Sequence, residues 1–180
     1  MLSILIPTYN YNITTLVKVL SKQALVSGVL YEIIVLEDGT LDTQITQQNQ
    51  SIVSINQCFY HKNQTNIGRT ATRNKLSEIA NFDWLLFLDA DLIPLNHDFI
   101  QTYVKELNNK YDVVSGGIVY EAQRPTHKQL LRWVYGRARE SKSAEARNKK
   151  PYNIISANLL ITKEVFLKAN NFETNHYGLD

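Results

Sequence analysis

Trp84-Leu85-Leu86-Phe87-Leu88-Asp89-Ala90-Asp91 is the stretch on which the fold turns. Five apolar residues in a row are strand-sized. Without polar alternation they describe a strand buried on both faces, as in parallel sheets. The run stops at two carboxylates around one small residue. Ligands of open α/β sheets bind beyond the carboxyl ends of strands. Two like charges at such a point repel unless a cation or donors compensate them. Mg²⁺ or Mn²⁺ suits, since it needs few protein carboxylates and takes the rest from water and phosphate. If the chain stays extended, Asp89 and Asp91 share a face. The plain alternative is a solvated acidic turn.

Outward from that run, strands alternate with helices. Leu2 to Ile6, Glu32 to Leu36 and Ile52 to Tyr60 read as earlier strands, the last as one or two. Val113 to Tyr120 and Ile154 to Ile161 read as later ones. Helical spacing marks Thr14 to Leu25, Gly68 to Ala80 and His97 to Leu107, the last with Asn96 as cap. Thr162 caps a short helix from Lys163 to Ala169. The pattern predicts an α/β fold with a largely parallel sheet covered by helices.

The chain has 180 residues, which argues for one domain at about 150 residues each. Composition is that of a globular protein, with 44% hydrophobic and 20% charged residues. The one cysteine, Cys58, excludes an internal disulfide and fits a reducing, cytoplasmic setting. No run approaches the ~18 apolar residues of a membrane span, so any membrane contact is peripheral, on the inner face. Charge is uneven. From Glu121 to Pro151 nine Lys/Arg face three acids, a surplus of six, which leaves the remainder at −4 within a net of +2. Leu130, Leu131, Val134 and Ala138 give this segment an apolar face, predicted to be helical and packed on the body. His127, Trp133 and Tyr135 fit either a loop near an acceptor or a solvated helical face with Trp133 inward.

Two further strand ends carry chemistry: Pro7-Thr8-Tyr9-Asn10 and Glu37-Asp38-Gly39-Thr40. Tyr9 is placed to stack on a base, or simply to pack. Asp38 is suited to accept from a ring N–H. In Asn66-Ile67-Gly68-Arg69-Thr70-Ala71-Thr72-Arg73-Asn74 a glycine opens a helix with two arginines on one face. Such an N-terminus suits phosphate, or is a plain helix start with solvated arginines. His97 and His176 lack ligand spacing and read as surface residues.

Together these motifs resemble the family 2 glycosyltransferases of GT-A fold. Ser3 to Asn10 is close to the family's opening strand and loop, and Glu37 to Thr40 stands where Asp-Asp-Gly-Ser is usual. Asn66 to Asn74 fits Asn-x-Gly-x-x-x-Ala-Arg-Asn with Thr72 for Ala, and Asp89-Ala90-Asp91 is the DxD. Asn158 to Ile161, Val165-Phe166 and Phe172-Glu173 resemble a later stretch, with Asn170-Asn171 where Gly-Gly is common. The resemblance implies a Rossmann-like three-layer α/β/α domain with a mostly parallel mixed sheet. It also implies an inverting transferase that moves a sugar from a nucleotide-diphosphate donor, UDP above all, to an acceptor hydroxyl. Pro7 and Tyr9 would line the uracil pocket, Asp38 would contact the base and Arg73 would lie near the diphosphate. Asp89 would sit by the ribose or sugar, and Asp91 would bind Mn²⁺ or Mg²⁺. The acceptor would be a glycan or a lipid-linked glycan, in bacterial surface-glycan synthesis.

His176 to Asp180 resembles the start of the Gly-x-Glu-Asp region that carries the catalytic base, with one acid where two are usual. Either Asp180 is the base or the base lies further on. The expectation is one GT-A domain over residues 1–180, truncated at its C-terminal end. A nucleotidyltransferase would want a Gly-rich basic loop after its first strand, where Pro-Thr-Tyr-Asn stands. A nucleic-acid module would rest on the basic segment alone, and no nucleic-acid motif accompanies it. The remaining rival is a nucleotide-sugar-binding domain without turnover.

Overall fold

A computed structural model describes residues 1–107, 111–150 and 154–169. The order is β1 (Leu2–Thr8), α1 (Thr14–Ser27), β2 (Tyr31–Glu37), α2 (Thr43–Gln50), a 3-10 turn (Ser51–Ser54), β3 (Cys58–Lys62), α3 (Arg69–Ile79), β4 (Trp84–Leu88), α4 (Phe99–Glu106), β5 (Val113–Ser115), α5 (His127–Arg139), α6 (Ala144–Asn148), β6 (Asn158–Thr162) and α7 (Lys163–Lys168).

The strands form one mixed sheet in the order β3-β2-β1-β4-β6-β5. β3, β2, β1 and β4 run parallel, and β6 pairs antiparallel with both β4 and β5. Strand order reverses between β1 and β4, which makes the gap beyond their carboxyl ends a topological switch point. Alternate side chains feed two cores. Leu2, Ile4, Ile6, Ile33, Val35, Leu86 and Leu88 pack with α1, α4 and the 3-10 turn. Leu5, Ile34, Leu36, Leu85, Phe87, Leu159 and Ile161 pack with α3 and α7. Burial on both faces explains the unbroken apolar runs, and the three-layer mixed α/β/α architecture expected from the sequence is the one observed.

Several boundaries differ. α4 begins two residues late, and Asn96 does not cap it. Gln23 of α1 does so from a distance, accepting from Ile100 N at 3.2 Å and donating to Asn96 O at 2.9 Å. β5 stops at Ser115 rather than Tyr120, and the last rung beyond it is the Gly116 N–H on Asn158 O at 2.8 Å. A Cβ at Gly116 would stand 2.1 Å from the Tyr103 hydroxyl. Ile52 to Tyr60 gives one strand, with Ile52 itself in the 3-10 turn. α2 was invisible to periodicity, since Thr-Gln-Ile-Thr-Gln-Gln-Asn-Gln has no apolar stripe. Asp42 starts it by accepting from Gln44 N and Ile45 N at 2.9 and 3.0 Å. Thr162 caps α7 as expected, at 3.4 Å from Val165 N.

The basic segment is helical in part, as α5 and α6, but α5 packs the other way round. Leu130, Trp133, Gly136 and Glu140 turn inward, while Leu131, Val134 and Ala138 face solvent. Gly136 decides the orientation. Tyr120 lies so close that a Cβ there would meet its ring at 2.0 Å.

Candidate functional site

The carboxyl ends of β1, β2 and β4 open into a cleft of about 590 Å³, reached by Pro7, Tyr9, Asp38, Arg69, Asp89 and Asp91. The three strand ends singled out in the sequence therefore converge on one hollow.

The β1 end is a short loop. Asn10 adopts a left-handed conformation, φ 50°, and its N–H donates to Thr40 Oγ1 at 3.0 Å. Thr8 Oγ1 donates to Tyr11 O at 3.1 Å. Tyr9 and Tyr11 stand half-exposed at the rim. The loop is tied to the body by Asn49 of α2, which is fully buried. Asn49 donates to Tyr11 O and to Glu37 Oε2 at 2.9 and 3.0 Å, and accepts from Ile13 N at 3.0 Å.

Glu37 thus faces α2 and β3. Its buried carboxylate also accepts from Thr46 Oγ1 at 2.6 Å and Tyr60 OH at 3.0 Å, with Lys62 Nζ at 3.9 Å. Burial first, then the Glu37 carboxylate, pushes the Tyr60 phenol well above its ordinary range. The extra methylene of glutamate gives the reach to α2. Asn49 lay outside the sequence reading, because an isolated Asn in a polar stretch carries no periodic signal.

Asp38 is 4% exposed and is occupied by the chain itself. It accepts from Asn63 Nδ2 and Ile67 N on Oδ1 and from Gly68 N on Oδ2, each at 2.9 Å. The carboxylate fills the N-terminal approach of α3 that the sequence suggested for phosphate, as a built-in anion. A carboxylate accepts about four hydrogen bonds, so one more donor fits. Gly39 follows at φ +70°, where a Cβ would lie 2.3 Å from Asn66 N, so only glycine fits beneath this loop.

Asp89 and Asp91 do not share a face. The chain turns at Ala90-Asp91, closed by Leu92 N on Asp89 O at 3.2 Å. Asp89 faces α3, 3.0 Å from Arg69 Nη2 and 3.1 Å from Arg73 Nη2. Both guanidinium groups also reach the β6 approach, at Ser156 Oγ (3.1 Å) and Ser156 O (2.7 Å). Arg73 is 2% exposed, lies 5.0 Å over the Phe87 ring and stands behind Asp89 rather than on the cleft wall. Arg69, a turn earlier, is the arginine on the wall. Sequence alone could not separate two arginines on one helix face.

Asp91 is exposed and makes no hydrogen bond or ion pair among the described residues. No cluster of three or more acids, histidines or cysteines suited to a metal occurs among them. One free carboxylate beside a diphosphate-sized cleft still fits Mg²⁺ or Mn²⁺, which keeps several water and phosphate ligands. Nearby, Tyr120 donates to Glu140, which Arg132 also holds at 2.6 Å. Burial, then Glu140, and in smaller part the Asp91 charge, push the Tyr120 phenol up to about 12. Burial opposes ionisation of Glu140, but hydrogen bonds from Arg132 and Tyr120 outweigh it and hold its carboxyl below the ordinary value. His97 and His127 are exposed. Asp180, His176 and the Phe172-Glu173 match lie outside the described residues.

Comparisons with known proteins bear on the fold and the family. A protein of Haemophilus influenzae described as an uncharacterized glycosyltransferase is 32% identical over 136 residues, 68% of this chain and 44% of the relative. The chain thus spans less than half that relative's length. Among solved structures, residues 1–349 of S. aureus TarS superpose with a TM-score of 0.57 at 23% identity, covering 69% of this chain and 37% of that one. TarS has also been solved with UDP-GlcNAc and with UDP. The mannosyltransferase PcManGT of Pyrobaculum calidifontis, in complex with GDP-Man and Mn²⁺, gives a TM-score of 0.61 at 13% identity, over 97% of this chain and 48% of its own. These likenesses concern the fold. The model of glycosyl transferase family 2 matches residues 3–168, and the chain belongs to that family.

Proposed function

We propose that the cleft binds a nucleotide-diphosphate sugar, UDP-linked above all, and that the protein transfers the sugar to an acceptor hydroxyl with inversion. The observation that carries this is the meeting of Tyr9, Asp38, Asp89 and Asp91 in one hollow at the switch point. Pro7 and Tyr9 take the base against the loop held by Asn49. Asp38 offers its remaining acceptor position to a ring N–H. Asp89, held by Arg69 and Arg73, meets the ribose or sugar hydroxyls. Arg73 acts by fixing Asp89, and Arg69 presents charge to the diphosphate. Asp91 would hold Mn²⁺ or Mg²⁺, which when bound offsets charge on the departing diphosphate. A carboxylate must take the acceptor proton as the hydroxyl attacks the anomeric carbon from the opposite face. Asp180, or an acid beyond it, is assigned that role. The acceptor is a glycan or lipid-linked glycan of the bacterial surface, and the protein works in the cytoplasm or peripherally on the inner face of the membrane. A single transferase domain over 1–180 fits this reading.

Calorimetric titration of UDP with Mn²⁺, with EDTA, and into Asp91→Ala tests it. Metal-dependent binding that falls at least about tenfold in Asp91→Ala is expected. Binding that ignores both metal and Asp91 removes the metal role, and no binding at all removes the donor site. Binding without turnover of any UDP-sugar supports the binding-domain alternative.

A further inference from the structure

The outward side of α5 is amphipathic and has no partner among the described residues. Leu131, Val134, Tyr135 and Ala138 recur at i, i+3, i+4 and i+7, one continuous stripe. Leu131 is 82% exposed, Val134 51% and Tyr135 56%. Lys128 and Arg139, both exposed, border the stripe on the Tyr135 side. The helix holds four Lys/Arg (Lys128, Arg132, Arg137, Arg139) and no acid over thirteen residues. Its inner side is committed. Trp133 Nε1 donates to Glu121 O at 2.8 Å, Arg137 stacks 4.6 Å over Trp133, and Tyr120 packs on Gly136. The outer stripe is therefore not a core face waiting to turn inward.

We infer that the outer face of α5 docks on an anionic lipid surface, with Leu131, Val134 and Tyr135 in the headgroup boundary and Lys128 and Arg139 on lipid phosphates. Charge complementarity selects this occupant. A strongly cationic helix on an otherwise acidic body is drawn by anionic headgroups, and the same face opposed to its own copy would set like charges together. A nucleic acid would leave the apolar centre of the face against phosphate. A lipid interface takes apolar centre and basic border at once, with long cationic side chains reaching up to the headgroups. No helix among the described residues is long and apolar enough to cross a membrane, so the contact lies in the interface plane. The inference deepens the peripheral placement proposed above and uses no residue of the donor cleft.

The test is co-sedimentation of the protein with vesicles of phosphatidylcholine and of equimolar phosphatidylcholine and phosphatidylglycerol. Binding is expected to the mixed vesicles alone and to fade with salt. Leu131→Glu should weaken it by about tenfold or more. Reversal of Lys128 and Arg139 to Glu should weaken it by about fivefold or more per site. Circular dichroism and UDP titration should match the parent protein in all variants, which separates this inference from the donor-site reading. Absent binding, equal binding to both vesicles, or unchanged binding in both variants overturns it. So does a light-scattering mass that falls to the monomer in Leu131→Glu, or RNA that binds the same face more tightly than the vesicles.

Discussion

Asn49→Ala isolates how the rim of the cleft is held. The side chain makes three hydrogen bonds, to Tyr11 O, Ile13 N and Glu37 Oε2, at a site with no solvent exposure. A typical bond contributes about 1 kcal/mol net and one to a charged group about 1.5–3. Truncation also leaves the Ile13 N–H and part of the Glu37 carboxylate buried without a partner. The expected loss is roughly 3–5 kcal/mol, or a fall in Tm of roughly 6–20 °C for a domain of this size. Asn49→Asp is isosteric but sets a second carboxylate 3.0 Å from Glu37, so it should be worse than alanine at neutral pH. Thermal unfolding by circular dichroism measures the first effect. Titration of UDP with Mn²⁺ measures the second, a roughly tenfold weaker donor affinity as Tyr9 to Asn12 loosens. A Tm within about 3 °C of the parent together with unchanged UDP affinity would refute the anchoring role.

Two further expectations concern other parts of the fold. Gly39→Ala forces a left-handed φ on a residue whose Cβ meets Asn66 N at 2.3 Å, so soluble yield and UDP binding should both collapse, whereas Gly28→Ala, with open space around its Cβ, should lower Tm by only a few degrees. Burial pushes the Cys58 thiol from 9.0 to about 11, against a weaker pull from the Ser21 hydroxyl. The native state then keeps a proton that the unfolded state releases, so this contribution is complete below pH 9 and lost as pH rises to about 11. Urea midpoints from pH 8 to 11 should fall less steeply in Cys58→Ala than in the parent, and parallel slopes would contradict the burial argument.

Much of this architecture was legible in the order of residues, for a physical reason. Parallel strands buried on both faces leave unbroken apolar runs, and the residues just past them are the ones a sheet presents to ligands. Trp84 to Leu88 and Leu2 to Ile6 could therefore be placed with their loops. What escaped was polar and long-range. α2 is built from a cap and one buried amide, with no stripe to detect. Gln23 caps a helix far from it in sequence, and Asn49 acts through three partners from two segments. The condition under which Asp89 and Asp91 would share a face, an extended chain, is not met, for the backbone turns at Ala90-Asp91 and Asp89 pairs with Arg69 and Arg73. The orientation of α5 failed because Tyr120 packs on a glycine, so the shallowest point of the helix faces inward and its greasier side faces out.

The place of β6 between β4 and β5 bears on how the chain is made. β4 is complete long before its neighbour, with 69 residues between Leu88 and Asn158. At ~5–20 residues per second a ribosome needs roughly 3–14 s to bridge that gap. Throughout it, a fully apolar strand shows one open edge, the kind that recruits other nascent chains into aggregates. β5 gives no relief, for among the described strands it pairs with β6 alone. When β6 arrives it brings Ser156 to Arg69 and Arg73 and sets Ala157 O on Asp89 N at 3.0 Å. Closing the dangerous edge and finishing the cleft are a single late step, so a nascent chain becomes safe at the same moment that its cleft takes final shape.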